Sequence, residues 1–293
     1  MKTSKTFITQ HPLLSYYFLT FVISWGGLLV IGGPGETDSG TVWQSDPRLP
    51  LMILAMLGGP SVAGLLLTSL VSGKTGVRDL GSRLLRWHVD GRWYAIAFLT
   101  APLVYTAVHA TLALTDPVYL PTILVTSDKT AMLLSSIAAG LGVGLFEEIG
   151  WTGFAIPQLR RRYGVFTTGL IAGVVWGAWH LLTNDLWIGD SYAGGLSLAL
   201  FWTATGVSLL VGQLLAYRVL MVWVYDRTGS LLVALLMHAS LVVCTFIFGA
   251  RATGAAYLTY VFVLAASWWI VVGVVAMVNH GQFSRQPLPR GAV

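Results

Sequence analysis

Residues 131–157 read AMLLSSIAAGLGVGLFEEIGWTGFAIP, and the only charged side chains in this run are those of Glu147 and Glu148. A membrane-spanning helix needs about 20 consecutive, mostly apolar residues, so the run is long enough to cross a bilayer. A carboxylate at the bilayer centre costs at least roughly 2.5 kcal/mol, and two neighbouring carboxylates are therefore expected to have a function. The stretch therefore predicts a membrane protein, and it predicts that the two glutamates belong to its functional site.

The chain as a whole is also rich in apolar residues and poor in charged ones. Of its 293 residues, 55% are apolar and 10% are charged, against about 25% charged residues in an ordinary soluble domain. This excludes a soluble enzyme of ordinary surface, and the 12% of aromatic residues exclude a disordered chain. Cys244 is the single cysteine, which excludes a disulfide framework and a zinc site built from several thiolates.

Eight stretches are long and apolar enough to span a bilayer. They are residues 13–33, 51–72, 94–114, 131–157, 165–182, 196–222, 230–249 and 257–279. The first is too long for a signal peptide and has no small-residue cleavage site, so we expect a retained helix. The pattern predicts an all-α polytopic membrane protein with about eight transmembrane helices and a single domain over residues 1–293. With the acidic pair inside a span, we also expect an intramembrane active-site cavity.

The basic residues indicate an orientation. With a cytoplasmic N-terminus and eight spans, only Arg48, Lys129 and Arg251 lie outside. The other fourteen lie inside: Lys2, Lys5, Lys74, Arg78, Arg83, Arg86, Arg92, Arg160, Arg161, Arg162, Arg218, Arg227, Arg285 and Arg290. Cytoplasmic loops carry an excess of Lys and Arg, so both termini are predicted to be cytoplasmic, in a multi-pass protein of the cell membrane. The net charge of +5 then reflects basic loops beside lipid, and we expect no nucleic-acid partner.

Glycine spacing predicts where helices approach each other. Gly169, Gly173 and Gly177 recur every fourth residue in the fifth stretch, and Gly140 and Gly144 do so before the acidic pair. Small residues at this spacing let helix backbones come close. Glycine is also common in membrane helices generally, which is the alternative explanation.

Three histidines lie inside predicted spans: His109, His180 and His238. A lone intramembrane histidine is commonly a packing residue, and we expect this of His109. The other two belong to short motifs. These motifs are Glu147-Glu148-Ile149-Gly150-Trp151-Thr152-Gly153-Phe154, Trp176-Gly177-Ala178-Trp179-His180 and His238-Ala239-Ser240.

The order and spacing of these motifs resemble the CPBP family of intramembrane proteases, which includes CAAX prenyl endopeptidases and bacteriocin-processing or Abi-type proteins. The motif core covers about residues 140–245. The resemblance implies an intramembrane endopeptidase with Glu147, Glu148, His180 and His238 as its catalytic residues. A membrane-associated peptide or protein is then the expected substrate.

Two positions depart from the family pattern. Thr152 stands where the motif E-E-x-x-x-R has its arginine, and Val242 stands where the motif H-x-x-x-N has its asparagine. The resemblance implies that the arginine is structural and that the asparagine helps to hold the oxyanion. The valine side chain has no hydrogen-bond donor. Within that helix we expect Thr245, two helical turns beyond His238, to be a better substitute for the asparagine than Ser240.

The residue types suit peptide hydrolysis, which needs a water, a base and an oxyanion donor. Glu147 with His180 can bind and deprotonate the water, and His238 can donate to the oxyanion. The same side chains can ligate Zn²⁺, so a metal-dependent mechanism stays open, with zinc as the candidate cofactor and no cofactor as the other alternative.

Depth in the membrane is a rough check on this set. At about 1.5 Å per residue, Glu147 lies about 15 Å from a helix end near Pro157, and His180 about 22 Å from a start near Val165. The mismatch predicts that the fifth helix starts later or is tilted.

Two other functions fit the composition. One is a non-catalytic membrane scaffold or immunity protein on the same fold, which Val242 and Thr152 favour. The other is a proton-coupled transporter with the acidic pair as its relay, although no pattern of two matching halves supports it.

Overall fold

The structure is a computed structural model that describes residues 7–32, 46–183, 191–249, 251–279, 281 and 283. Four basic residues counted above, Lys2, Lys5, Arg285 and Arg290, lie outside the described residues, as does residue 33 of the first predicted span. Within the described part, the secondary structure is helical and contains no strand.

Eight of the helical segments in the described part are long and apolar enough to cross a membrane. We label them α1 (Pro12–Gly32), α2 (Leu49–Leu84), α3 (Gly91–Ala113), α4 (Lys129–Arg160), α5 (Val165–Thr183), α6 (Leu198–Thr228), α7 (Leu231–Phe248) and α8 (Gly254–Val278). Two short helices, Pro117–Tyr119 and Thr122–Val125, connect α3 to α4. The predicted fold class is confirmed: this is an all-α, multi-pass membrane protein.

Side-chain caps explain where several segments begin. Asp90 accepts a hydrogen bond from the Arg92 backbone N–H at the start of α3, and Asp128 does the same for Ala131 in α4. Such a cap satisfies a backbone donor that has no partner in the first helical turn. At the other end of a segment, Gly229 closes α6 with φ 60°, a left-handed conformation that glycine adopts without steric strain.

The segment α4 changes helix type directly after the acidic pair. It is α-helical over Lys129–Gly150, π-helical over Trp151–Ala155 and α-helical again over Ile156–Arg160. Pro157 lies in the first turn of the last piece and has no N–H to donate; the Gly153 carbonyl oxygen, four residues earlier, accepts a hydrogen bond from Arg83 instead. The predicted end at residue 157 was therefore too early.

This longer α4 removes the depth mismatch between the two predicted catalytic residues. Measured from Arg160, Glu147 lies about 20 Å along its helix, close to the roughly 22 Å of His180. The fifth helix begins at Val165, so the later start, one of the two alternatives, was wrong. His180 itself begins a 3₁₀ turn, His180–Thr183, at the end of α5.

Close backbone approaches bring two pairs of segments together, α4 with α7 and α5 with α6. A Cβ added at Gly144 would lie 2.9 Å from the Leu235 carbonyl oxygen of α7, and one at Gly169 would lie 2.6 Å from the Val219 Cα of α6. Only glycine leaves room for these distances, so the predicted approach through glycine is confirmed. The two pairs carry the candidate residues toward each other.

Candidate active site

Trp176 on α5 is the centre of the candidate site. Its indole Nε1 donates a hydrogen bond of 2.7 Å to Glu147 Oε2. Its ring centroid lies 5.4 Å from that of His180 and 5.3 Å from that of His238. The structure therefore brings residues from α4, α5 and α7 to one place inside the membrane-spanning part of the protein.

The two carboxylates of the acidic pair are bonded very differently. Glu148 is fully buried and accepts hydrogen bonds from three side chains, those of Thr152, Arg218 and His238. Glu147 is also buried, but its one described hydrogen bond is the bond from Trp176. Glu148 is thus held from three sides, whereas Glu147 keeps acceptor capacity for another group.

The hydrogen bond of His180 defines its tautomer. Its Nδ1 lies 2.8 Å from the Trp176 carbonyl oxygen, and a carbonyl oxygen can only accept a hydrogen bond. In the neutral ring the proton is therefore on Nδ1, and Nε2 has a free lone pair. This is the arrangement that a base or a water-binding imidazole needs.

His238 is oriented by the second carboxylate. Its Nδ1 lies 2.8 Å from Glu148 Oε1, and both side chains are almost completely buried. The carboxylate accepts the Nδ1–H, so Nε2 is the ring atom that remains available to another partner. Glu148 therefore acts on His238 and does not compete with Glu147.

Arg218 is the residue of the candidate site that sequence reasoning missed. It had been counted with the inner loops, but it lies within α6 with no exposed surface. Its Nη1 donates to both carboxylate oxygens of Glu148 at 3.0 Å, and its guanidinium carbon lies 4.0 Å from the Trp176 ring centroid. A charged residue inside an apolar span indicates function by default, and that signal was present in the sequence.

The local substitutes for the missing asparagine have their hydroxyl protons engaged. Val242 is buried on α7. Thr245 donates to the Leu241 carbonyl oxygen, and its hydroxyl is 3.0 Å from that of Tyr105. Ser240 donates to the Phe98 carbonyl oxygen. A second oxyanion donor is therefore expected from another segment, and not from Thr245.

His109 belongs to a different part of the protein. Its Nδ1 lies 2.5 Å from the Tyr119 carbonyl oxygen, and its ring packs against Phe248 and Tyr260. These contacts fasten the loop after α3 to α7 and α8. They fit the packing role that the sequence suggested.

The same histidine and glutamate side chains are the candidate ligands of a metal ion. Zinc in proteins needs at least three converging side-chain ligands. Within the part of the chain that the structure describes, no three His, Cys, Asp or Glu side chains form such a group. The residues as arranged do not fit a zinc site, and the mechanism proposed below routes no step through a metal.

The segment that carries these residues is similar to known proteins. Residues 129–244 match the model of the family described as type II CAAX prenyl endopeptidase, Rce1-like. A curated relative, CAAX prenyl protease 2 of Methanococcus maripaludis, is 26% identical over 94 residues, which are 32% of this chain and 33% of the relative. The matched segment is thus about a third of the length of that relative. The predicted resemblance to the family of CAAX prenyl endopeptidases is confirmed over the segment that carries all three motifs.

Proposed function

We propose that the protein is a glutamate-dependent intramembrane endopeptidase that hydrolyses a peptide bond in a membrane-associated peptide. The observation that carries the proposal is the unequal bonding of the two carboxylates. Glu148 is engaged by Thr152, Arg218 and His238, whereas Glu147 accepts one described bond, from Trp176. One acid is therefore held as a structural anion, and the other is free to work on a water.

In this mechanism Glu147 removes a proton from a water that also donates to the unprotonated Nε2 of His180. The hydroxide attacks the scissile carbonyl carbon, and the carbonyl oxygen becomes an oxyanion. A His238 ring that donates its Nδ1–H to Glu148 and carries a second proton on Nε2 donates that proton's hydrogen bond to the oxyanion. Glu147 then returns its proton to the leaving nitrogen as the C–N bond breaks.

The first substrate to test is a prenylated peptide, because the curated relative is named a CAAX prenyl protease. A lipid-modified peptide reaches a site within the bilayer by partitioning into it, since each buried CH₂ of a lipid chain contributes about 0.8 kcal/mol. The bilayer is then a partner in substrate delivery, and the peptide is the group that the site recognises.

The test is cleavage of a fluorescent farnesylated peptide by the purified protein in lipid nanodiscs, with and without a chelator. We expect cleavage in both conditions, and we expect none from Glu147→Gln or from His180→Gln. Loss of activity with the chelator, restored by added Zn²⁺, would show a metal-dependent mechanism instead.

His109→Gln is the matched control for the histidine variant. Both residues are histidines that bond a backbone carbonyl oxygen through Nδ1, but His109 lies outside the site. It should keep its turnover number, whatever its effect on thermal stability. If it loses as much activity as His180→Gln, the assay reports folding and not chemistry.

A non-catalytic scaffold remains the second candidate function, because Val242 stands at the position of the family's oxyanion asparagine. The structure shows no free hydroxyl proton at Ser240 or Thr245 to replace that asparagine. If a broad library of tagged membrane peptides is left uncut, this second function is favoured.

A further inference from the structure

Several buried hydrogen-bond donors beside the site have no described partner, and three of them lie on rings that contact one another. These three are the indole N–H groups of Trp151 and Trp179 and the hydroxyl of Tyr17. Trp151 has no exposed surface and Trp179 has 1%. Buried donors are paired in nearly all proteins, and an unpaired one requires an explanation, such as a ligand that supplies the acceptor.

The rings that carry these donors contact one another in turn, and the last of them contacts His180. The ring centroids are 6.1 Å apart between Tyr17 and Trp151, 6.0 Å between Trp151 and Trp179, and 4.7 Å between Trp179 and His180. The row is built by three segments, α1, α4 and α5. We call Tyr17, Trp151 and Trp179 the donor row.

The chemistry of the donor row selects the kind of ligand. An indole N–H can donate and cannot accept, so the ligand must present acceptors. In an extended peptide the carbonyl groups on one side recur every second residue, which is about 6.6 Å. Because the three donors lie on neighbouring rings, each can meet a different carbonyl group of one extended peptide. A helical peptide fits poorly, because its carbonyl oxygens are engaged within the helix.

We propose that the donor row binds the backbone carbonyl groups of the substrate peptide, in an extended conformation, next to the bond that is cut. The inference rests on the proposed peptidase function and adds to it a subsite and a substrate conformation. The first transmembrane segment, which carries none of the motif residues, becomes part of the binding site through Tyr17.

Binding can be measured without cleavage by using Glu147→Gln as the background. The probe is a fluorescent farnesylated peptide, and its Kd is measured in lipid nanodiscs. Adding Tyr17→Phe removes one hydroxyl and keeps the ring, and we expect the Kd to rise roughly 3- to 10-fold, as for the loss of one hydrogen bond. Trp179→Phe should act in the same direction.

Thermal stability distinguishes binding from a structural role. The free protein leaves the Tyr17 hydroxyl unpaired, so Tyr17→Phe should leave the melting temperature unchanged or raise it while it weakens binding. Trp268→Phe is the matched control for Trp179→Phe. Trp268 is also a buried tryptophan with an unpaired indole N–H, but it packs against Tyr105 and Tyr217. It should leave the Kd of the peptide unchanged.

A double-mutant cycle identifies the carbonyl group that each donor binds. Peptides with an alkene in place of one amide lack a single carbonyl. An alkene at the contacted position should weaken binding to Glu147→Gln and should have no further effect once Tyr17→Phe is added. Alkenes two residues apart should couple to different members of the donor row.

The outcomes separate this inference from the proposed function. If the wild-type protein cuts the peptide but no alkene couples to Tyr17 or Trp179, the donor row is not a subsite and the peptidase proposal stands. If coupling is found but no cleavage, the subsite stands and the peptidase proposal fails. If the variants lower kcat and leave the Kd unchanged, the donors hold water and the inference is overturned.

Discussion

At the scale of single residues, the two neighbouring carboxylates are expected to fail in different ways. Glu147→Gln keeps an oxygen that can accept the Trp176 hydrogen bond, so we expect cleavage to be lost with little change in melting temperature. Glu148→Gln leaves the buried Arg218 without its counterion. Breaking a buried ion pair costs about 3–5 kcal/mol, so this variant should lose stability first and activity partly as a consequence.

Thermal unfolding and single-turnover cleavage, measured on the same preparations, check this difference. Wild-type turnover in Glu147→Gln would contradict the glutamate mechanism. Equal loss of folding in both variants would mean that both acids are structural.

The buried carboxylate of Glu148 needs a positive partner, and we predict that an arginine at position 152 can replace Arg218 in this role. Thr152 already hydrogen-bonds Glu148, so an arginine at position 152 would be within reach of the same carboxylate. We expect Arg218→Met to lower the melting temperature strongly and Thr152→Arg/Arg218→Met to recover much of the loss. The recovery depends on charge, so Thr152→Met/Arg218→Met should not show it. A double variant no better than Arg218→Met alone would show that the charge must come from α6.

Val242 leads to a prediction about rate. It lies one helical turn beyond His238, on the same face of α7, and an asparagine there would add a donor beside the oxyanion. The loss of one such donor commonly lowers kcat on the order of 10²-fold, so Val242→Asn should raise the turnover number. The measurement is kcat on the farnesylated peptide, with Val274→Asn on the exposed surface of α8 as the control. A neutral result on an active enzyme would indicate that the oxyanion is already held from another segment.

At the scale of helices, the contact between α4 and α7 sets the distance between Glu148 and His238. A Cβ at Gly140 would lie 2.7 Å from the Ala239 carbonyl oxygen, whereas one at Gly142 would meet nothing within 4 Å. Alanine is preferred over glycine in a helix by about 1 kcal/mol. Gly142→Ala should therefore keep or raise the melting temperature, and Gly140→Ala should lower both stability and activity. Equal effects in the two variants would mean that the close approach does not matter.

The helices also show which features a sequence can predict and which it cannot. Hydropathy located all eight segments because span length depends on local composition. It misplaced the end of α4, because the π turn at Trp151–Ala155 makes Pro157 compatible with a continued helix. Motif spacing selected His180 and His238, but it could not show that His238 bonds Glu148 or that Arg218 lies beside them. Those contacts depend on how α4, α6 and α7 pack, which no local pattern encodes.

At the scale of the whole molecule, basic residues lie at one end of the helix bundle, where α2, α4 and α6 end and α7 begins. Arg83 at the end of α2 donates to the Tyr225 hydroxyl at 2.7 Å and to the Gly153 carbonyl oxygen at 3.0 Å. Ser230 donates to the Arg86 carbonyl oxygen at 2.6 Å. These contacts place the ends of α2, α4 and α6 and the start of α7 on one side. This is expected if the chain crosses the membrane once with each helix.

Two of the fourteen basic residues assigned to the inner side do not help to predict the orientation. Arg218 is paired with Glu148, and Arg160, with a side chain that is 2% exposed, lies 2.6 Å from Asp226. Charges that are buried and neutralised within the protein do not report on the side of the membrane. Twelve basic residues then remain on the predicted inner side against three on the outer side, and the asymmetry persists.

The last prediction is therefore the orientation itself, with the basic end in the cytoplasm. A reporter inserted after Arg92 or after Arg162 should read cytoplasmic, and one placed near Asp46 or Asp116 should read external. A reporter near Asp190, which lies outside the described residues, should also read external. The reason is that Lys and Arg near membrane-spanning helices are retained on the cytoplasmic side. Activity-based reporters that work on only one side of the membrane, used in pairs, give each position a positive signal. An external reading after Arg162 would reverse α4 and α5 together, because a short connection joins them, and it would contradict the eight-span path.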